Sequence, residues 1–352
     1  MAGSDIVITR VGMVTAVGLS APETAASVRA ATMRFGQVDW LDRRSQPFTV
    51  AAVPDAGLPE LSFEAGRTEG LGARDARLLR IGGRALAECL RGVGRGAEKP
   101  PLVLALPGPE RQGSDPGRFL KLLAGQAGGL FDLARSATLA AGRAGGLMAL
   151  GRAAEMIRSG RTRFAVAGGL DSYVDQPTLA ALDLEKRVKS DAHLDGFIPG
   201  EGAAFLLLAT PAAAAAAGLP SLAVVSEASE GFEQGHLRSK ETYLGEGLAT
   251  TLKALVQAAP PPRPFVSVWS SMNGESHWAK EWGVAFLRSR DAFDESCAMN
   301  HPADCFGDAG AAAGTLLAGL ACLDASRGPA LVYASSDDGP RASLSILPPG
   351  AN

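Results

Sequence analysis

Side chains able to do chemistry are few in this sequence, and their spacing narrows what they can do. Four cysteines, Cys89, Cys297, Cys305 and Cys322, stand far apart with no Cys-x-x-Cys pair. That arrangement suggests neither a zinc site nor a disulfide framework, although a lone redox-active pair such as Cys297 with Cys305 stays open. No metal or other cofactor is expected. Two tetrads, Gly142-Arg143-Ala144-Gly145 and Gly307-Asp308-Ala309-Gly310, each open a helix of small residues. A guanidinium at a helix N-terminus opposes the helix dipole, so Arg143 needs a carboxylate partner or an anionic ligand. Asn273-Gly274-Glu275 precedes Trp278 and Trp282, a polar turn beside aromatic residues. Met148 and Met156 read as core, and His193 and His236 carry no signal.

The elements that must hold these groups alternate between strand and helix. Residues 6–14 are apolar and β-branched, as a buried strand requires, and Gly18 ends the run. Ser20 with Glu23 makes a capping-box pattern, with Pro22 in the first turn of a helix that runs to residue 31. Residues 35–74 read as irregular, 75–91 as helix, 101–106 as buried strand, 107–117 as loop, and 118–124 as a short helix before Gly-rich 125–129. A weak strand over 136–141 leads to a long helix over 142–159 and a strand over 164–167 ending in Gly168-Gly169. Further strands are expected over 202–208, 222–226, 265–270, 330–334 and 343–347, and helices over 248–257, 281–289 and 309–326. The alanine run inside 211–220, closed by Gly218 and Pro220, predicts a short connecting helix. Alternation of this kind means a layered α/β fold.

The two tetrads head similar stretches: a small-residue helix, a short basic turn, then an apolar strand (164–167 and 330–334). Read as an internal repeat, they relate two halves by a pseudo-twofold, with Arg143 and Asp308 at equivalent helix N-termini near the axis. The expected organisation is a half over 1–210, a connector over 211–220 and a second half over 221–352.

Composition limits the classes. The chain has 352 residues, 34 Lys+Arg against 37 Asp+Glu, and a formal net charge of −3. Scattered charge near balance excludes a nucleic-acid or anionic-membrane binder driven by bulk charge. The longest apolar run, 310–322, is shorter than the ~20 residues that a membrane-spanning helix needs. Met1-Ala2-Gly3-Ser4-Asp5 does not open a secretory signal, and a reduced, cytoplasmic chain is expected. With 43 glycines and only 6% aromatics, the interior must rely on small residues and close approach.

Four blocks resemble the β-ketoacyl synthases of the thiolase superfamily. DGFIPGEGAAFLLL (195–208) is the most specific and is similar to the family's DGFVxGEGA block. IVITRVGMVTAVGLSAPET (6–24) resembles the N-terminal strand and helix, RAAEMIRSGRTRFAVAGGLDSY (152–173) the segment after the nucleophile, and FGDAGAAAG (306–314) the GHTLGAAG block. The resemblance implies a five-layered αβαβα thiolase-like fold of two pseudo-repeated halves, and a homodimer. It also implies positions for a nucleophilic Cys, two His, a Lys and a gating Phe. Carried over one by one, the Cys falls on Arg143 and the first His on Trp269, or on Ser270 if the alignment slips by one. The second His falls on Asp308, the Lys on Ala303, and the gate near Asp337.

None of these residues supports decarboxylative condensation. Arg143 is permanently protonated and is no nucleophile. Since the family's Cys and second His face each other, Arg143 and Asp308 are expected to form a buried, bidentate ion pair. Two functional classes remain. One is a catalytically degenerate protein that binds: an adaptor, a partner of another synthase-like chain, or a carrier of an acyl or anionic ligand. Thiolase-like chains of similar appearance accompany type VI secretion effector genes in some bacteria, which extends this class to effector handling. The other is an acyltransferase or thioesterase-like enzyme acting on acyl-carrier or acyl-CoA thioesters through a relocated Cys305, Ser136 or Ser270, with His301 or His277 as base. Against it stands the default that Cys305 is a buried, inert thiol and the histidines are packed.

Overall fold

The computed structural model describes residues 5–62, 70–93, 98–111 and 113–350. In chain order the first half contains β1 (Ile6–Thr15), α1 (Ala21–Arg29), β2 (Gly36–Leu41), β3 (Pro47–Val50), α2 (Ala73–Cys89), β4 (Leu102–Leu106) and α3 (Pro116–Gln126). It continues with β5 (Ala137–Ala140), α4 (Gly145–Arg158), β6 (Phe164–Ser172), α5 (Gln176–Leu184) and β7 (Glu201–Ala209). After α6 (Pro211–Ala216) come β8 (Ala223–Val225), β9 (Ser229–Phe232), α7 (Glu246–Ala258), β10 (Phe265–Ser270) and α8 (Ser276–Arg288). The chain closes with β11 (Phe293–Asn300), α9 (Ala303–Phe306), α10 (Ala313–Leu323), β12 (Ala330–Ser335) and β13 (Pro340–Leu347).

The repeat is visible in the pairing. One half orders its strands β5-β4-β6-β7-β1, and the other β11-β10-β12-β13-β8. Both are the same permutation of first-to-fifth strand. In each half the strand next to the free edge, β4 or β10, pairs in parallel with both neighbours, and the following three strands run antiparallel. The two first strands, β1 and β8, then pair antiparallel and join the halves.

Side-chain burial resolves the layers. One apolar cluster lies under α2 and α3 and uses Leu102, Leu104, Phe205 and Leu207 of the first half. A second lies under α7 and α8 and uses Phe265, Val268, Leu331 and Tyr333. Between the sheets, α4 and α10 share a third cluster with Leu206, Leu208, Val332 and Leu344. The layers therefore read helix, sheet, helix, sheet, helix. α10 (AGTLLAGLACL) is buried from Gly314 to Cys322, which explains its lack of polar positions.

Small residues are concentrated where α4 meets α10. A Cβ on Gly146 would stand 2.5 Å from the Thr315 amide nitrogen, and one on Gly314 2.7 Å from that of Leu147. Backbones are in contact here, so only glycine fits at the crossing.

Several expectations are corrected. The stretch 35–74 is not irregular throughout: β2 and β3 form a hairpin within it, although 63–69 lies outside the described residues. The strand expected to stop at Gly168 continues as β6 to Ser172, because the glycines admit the Phe205 ring and the Ala311 carbonyl rather than turning the chain. The loop 107–117 contains a 3₁₀ turn at Pro109–Arg111, and α3 starts at Pro116, capped by Asp115. α5, β9 and β11 were not expected. α5 has a legible start, with the Asp175 side chain accepting from the Thr178 amide ahead of Pro177. α8 opens at Ser276, before the expected 281. The Glu23 carboxylate reaches the Leu19 amide rather than that of Ser20, a displaced capping box.

Opposite signs are expected for two glycine substitutions. Gly146→Ala should destabilise by about 1–3 kcal/mol through overpacking. Gly283→Ala, in α8 with open space around its Cβ, should stabilise by about 0.5–1 kcal/mol. Urea unfolding of the two variants measures both.

Candidate functional site

At the N-terminus of α4 the chain turns through Gly142 at φ +57°, and Arg143 lies in the 3₁₀ turn Gly142–Ala144. Ser336, just past β12, fastens that turn: its hydroxyl donates to the Ala141 carbonyl (2.6 Å) and accepts from the Ala144 amide (2.9 Å). Arg143 thereby points between the halves and is 2% exposed.

Arg143 Nε donates to Asp308 Oδ2 at 2.7 Å, and Nη2 lies 2.5 Å from the same oxygen. Nη1 donates to Asp337 Oδ1 at 2.5 Å. The expected two-oxygen fork with Asp308 is thus corrected. One Asp308 oxygen takes both approaches, because Oδ1 is occupied by the Gly310 amide (2.9 Å). The guanidinium serves two carboxylates.

A second arginine completes the centre. Arg187 grips Glu275 in a true fork (Nε–Oε1 2.7 Å, Nη2–Oε2 2.8 Å), and its Nη1 donates to Asp337 Oδ2 at 2.7 Å. Asn273 Nδ2 bridges Asp308 (2.8 Å) and Glu275 (3.1 Å), and the Trp278 indole donates to Glu275 (3.0 Å). Phe197, from the DGFIPGEGA block, lies 5.9 Å from the Arg143 guanidinium and 5.3 Å from that of Arg187. Two formal positive charges face three negative ones, and Asn273, Trp278 and the Gly310 amide hydrogen-bond the excess.

Burial opposes the charges of Asp337, Arg143 and Arg187, and pairing overrides it. Desolvation alone would raise the Asp337 carboxyl, but Arg143 and Arg187 hold it well below the usual carboxylate range. Arg143 likewise stays charged: Asp308 and Asp337 outweigh its desolvation and raise it well above an ordinary arginine. Similar pairs surround the centre. Arg74 and Arg111 converge on buried Asp171, Arg77 holds buried Glu201, and Arg341 pairs with buried Glu281.

The space left is small. Beside Asp308 a cavity of about 20 Å³ is lined by Ser270, Ser271, Pro302, Ala303 and Phe306 among others. That accommodates about one water and no acyl chain. Trp269 is buried in the central core, its indole nitrogen without a hydrogen-bond partner. Ala303 lines the cavity wall and offers no charge.

The alternative nucleophiles separate clearly. Cys305 is buried and free, and burial pushes its thiol up, so a thiolate is disfavoured. Cys297 is also free, its thiol raised by burial to about 11, and the two form no disulfide. Ser136 serves the backbone, donating to the Asp132 carbonyl and accepting from the Leu102 amide. Ser270 Oγ stands 2.6 Å from His301 Nδ1. His277 is packed between Tyr243 and Trp278 (ring centroids 4.2 and 4.7 Å), away from the cavity, and its buried Nε2 has no hydrogen-bond partner. Arg143, Asp308 and Asp337 are brought together with Asn273, Glu275 and Trp278. Sequence reasoning missed Arg187 and Phe197. Arg187 stands in the charged run Glu185-Lys186-Arg187, which looks like a solvated surface.

Comparison with known proteins agrees with this fold. Residues 92–214 match the family described as β-ketoacyl synthase, N-terminal domain. The ishigamide ketosynthase/chain length factor superposes with a TM-score of 0.79 at 18% identity, covering 99% of this chain and 100% of that one. A type II polyketide ketosynthase in complex with its acyl-carrier protein gives 0.78 at 15%, covering 98% and 99%. The ketosynthase from module 6 of the bacillaene synthase of Bacillus subtilis gives 0.78 at 14%, covering 97% and 72%. No curated protein matches the sequence. The chain is a thiolase-fold protein of the five-layered αβαβα kind. Over residues 92–214 it is similar to the N-terminal domain of the β-ketoacyl synthases. Among the described residues, no helix is long and apolar enough to cross a membrane, and no group of three or more His, Cys, Asp or Glu side chains is placed to hold a metal.

Arg143→Met should cost about 3–5 kcal/mol, because Asp308 and Asp337 lose their shared cation in a dry site. Adding Asp308→Asn and Asp337→Asn should recover part of that loss, and a three-variant set of unfolding curves reads it. Unchanged stability in Arg143→Met would refute the buried network. The histidines give a pH signature. Burial, with Arg341 nearby, lowers His277, and burial lowers His301. A lowered folded value makes their contribution complete above the unfolded ~6.5 and lost as pH falls below it. Melting temperature should therefore fall from pH 7 toward 5, and His277→Gln should flatten part of that slope.

Proposed function

We propose that this chain is a non-condensing ketosynthase-like protein that works by binding other proteins. The observation that carries this reading is the filled centre: a permanently charged, buried Arg143 stands where the resemblance to the synthases puts the nucleophile, and about 20 Å³ of space remains beside Asp308. Such a site offers no thiolate at Arg143 and no room for a long acyl chain.

The sheet edges support a partner role. β11, at one end, carries Asp294 and Glu295, charges that discourage edge-to-edge pairing. β5, at the other, reads Ala-Thr-Leu-Ala with its two terminal alanines exposed and no charge or proline. An unguarded edge of this kind accepts another strand. The occupant we assign is a second copy of this chain, giving a homodimer. The structural relatives are in keeping with an assembly: two are described as a ketosynthase with a chain length factor, and one as a ketosynthase with its acyl-carrier protein. A synthase-like partner chain is the alternative occupant of that edge. Effector handling for type VI secretion is one setting such an adaptor suits, and the four free cysteines suit a reducing cytoplasm.

Sedimentation should show a dimer at micromolar concentration, and the double variant Ala137→Lys, Ala140→Lys should be a folded monomer. A monomeric wild-type chain that also takes up no synthase-like partner would end the proposal. With acyl and malonyl thioesters together, the purified chain should form no condensation product, as read by mass spectrometry.

A further inference from the structure

The replaced centre lacks a histidine at both family positions, yet an imidazole stands beside it on a different strand. β10 ends at Ser270, and its parallel neighbour β11 ends at Asn300, one residue before His301. The register pairs Trp269 with Asn300, so Ser270 and His301 leave their strands side by side. Their Oγ and Nδ1 atoms are 2.6 Å apart. Asn300 is itself fixed, its amide donating to the Val268 carbonyl at 3.1 Å. The pair stands on strand ends rather than on a mobile loop, and Ser270 lines the small cavity that also touches Asp308.

We propose that Ser270 and His301 form a nucleophile–base dyad that takes a small acyl group from an activated ester or thioester. The chemistry needs a hydroxyl within hydrogen-bond reach of a neutral imidazole, which this pair provides. In the tautomer with the proton on Nε2, the hydroxyl donates to Nδ1. Oγ then forms a bond to the acyl carbon while its proton passes to Nδ1. The bond from acyl carbon to the alcohol or thiol breaks, and that leaving group departs with the proton from the imidazole. The products are an O-acyl serine and a free alcohol or thiol. The cavity limits the substrate class: with room for about one water beside Ser270, only the smallest acyl group, displacing that water, can reach the hydroxyl, and a long chain is rejected. His301 is half-buried, and its value lowered by burial keeps it neutral at pH 7.

This inference does not depend on the partner-binding role, whose test is oligomeric state. The experiment is labelling of the full chain with p-nitrophenyl acetate and with acetyl-CoA, followed by intact mass and peptide mapping, with an octanoyl ester as size control. We expect one acetyl group on Ser270, none from the octanoyl ester, and none in Ser270→Ala. His301→Gln should slow acetylation by about 10²–10⁴-fold. The labelling rate should hold from pH 8 to about 6.5 and fall in more acidic buffer, as the imidazole protonates. If Ser270→Ala fails to fold, peptide mapping of the wild type together with His301→Gln decides the matter. No acetylation, acetylation at another residue, or an unchanged rate in His301→Gln overturns the proposal.

Discussion

Arg143 is a guanidinium buried at the N-terminus of a helix, the end where a positive charge is least welcome. It is tolerated only because Asp308 and Asp337, both from the second half, come within hydrogen-bonding distance of it. Much of the surrounding structure follows from that requirement. Asp337 must be held in place, so Arg187 binds its other oxygen. Arg187 carries its own desolvation cost, so Glu275 faces it with a full fork, and Glu275 in turn takes Asn273 and the Trp278 indole. Each group added to satisfy one charge creates the need for the next, until neutral donors close the network.

The two halves contribute unequally to this centre. Both arginines come from the first half, and all three carboxylates come from the second. The contact is therefore complementary in charge as well as shape, and sliding one half against the other would strand ions in a dry interior. Buried ion pairs contribute little net stability compared with apolar packing, so the role we assign to this one is register between the halves. Close packing of α4 against α10 through Gly146 and Gly314 supplies the complementary constraint. It brings the helix that carries Arg143 near enough for side chains to meet across the axis.

Much of this was legible from residue order. The apolar strands and the two tetrads read as a layered α/β fold with a pseudo-twofold, because buried strands and close helix crossings demand particular residue types; the five layers are what the resemblance carried by the GEGA block implies. The meeting of Arg143 with Asp308 is what the family resemblance implies, since the two positions they fill face each other in the synthases. What escaped was set by tertiary context. Arg187 sits in a charged run that resembles any solvated surface, and only the hydrogen-bonded contact of 187–189 with Phe197 turns it inward. β11 mixes Asp, Glu, Ser and Cys because it is an edge strand, so its period is blurred. The hairpin of β2 and β3 buries only a short apolar face, Phe48 and Val50 with Val38 and Trp40 against them, while β2 is otherwise largely exposed, so its period is weak. Ser270 and His301 were each legible as candidates, but which base meets which hydroxyl was not, since their contact arises from the register of two parallel strands.

On the proposed reading of this centre as a replaced synthase site, the network also explains why one substitution would not supply condensation. Replacing Arg143 with cysteine restores a thiol at the helix N-terminus but leaves Asp308 without its cation, and Asp337 with Arg187 alone. A thiolate placed against these carboxylates is disfavoured by like charge, which raises the thiol and removes the nucleophile the substitution was meant to supply. Recovering the reaction would require the two aspartates to change as well, an imidazole in place of Trp269 or Ser270, and removal of the packing that leaves only about 20 Å³ beside Asp308. Each change made singly orphans a buried charge or opens a void, so the charged centre is self-locking.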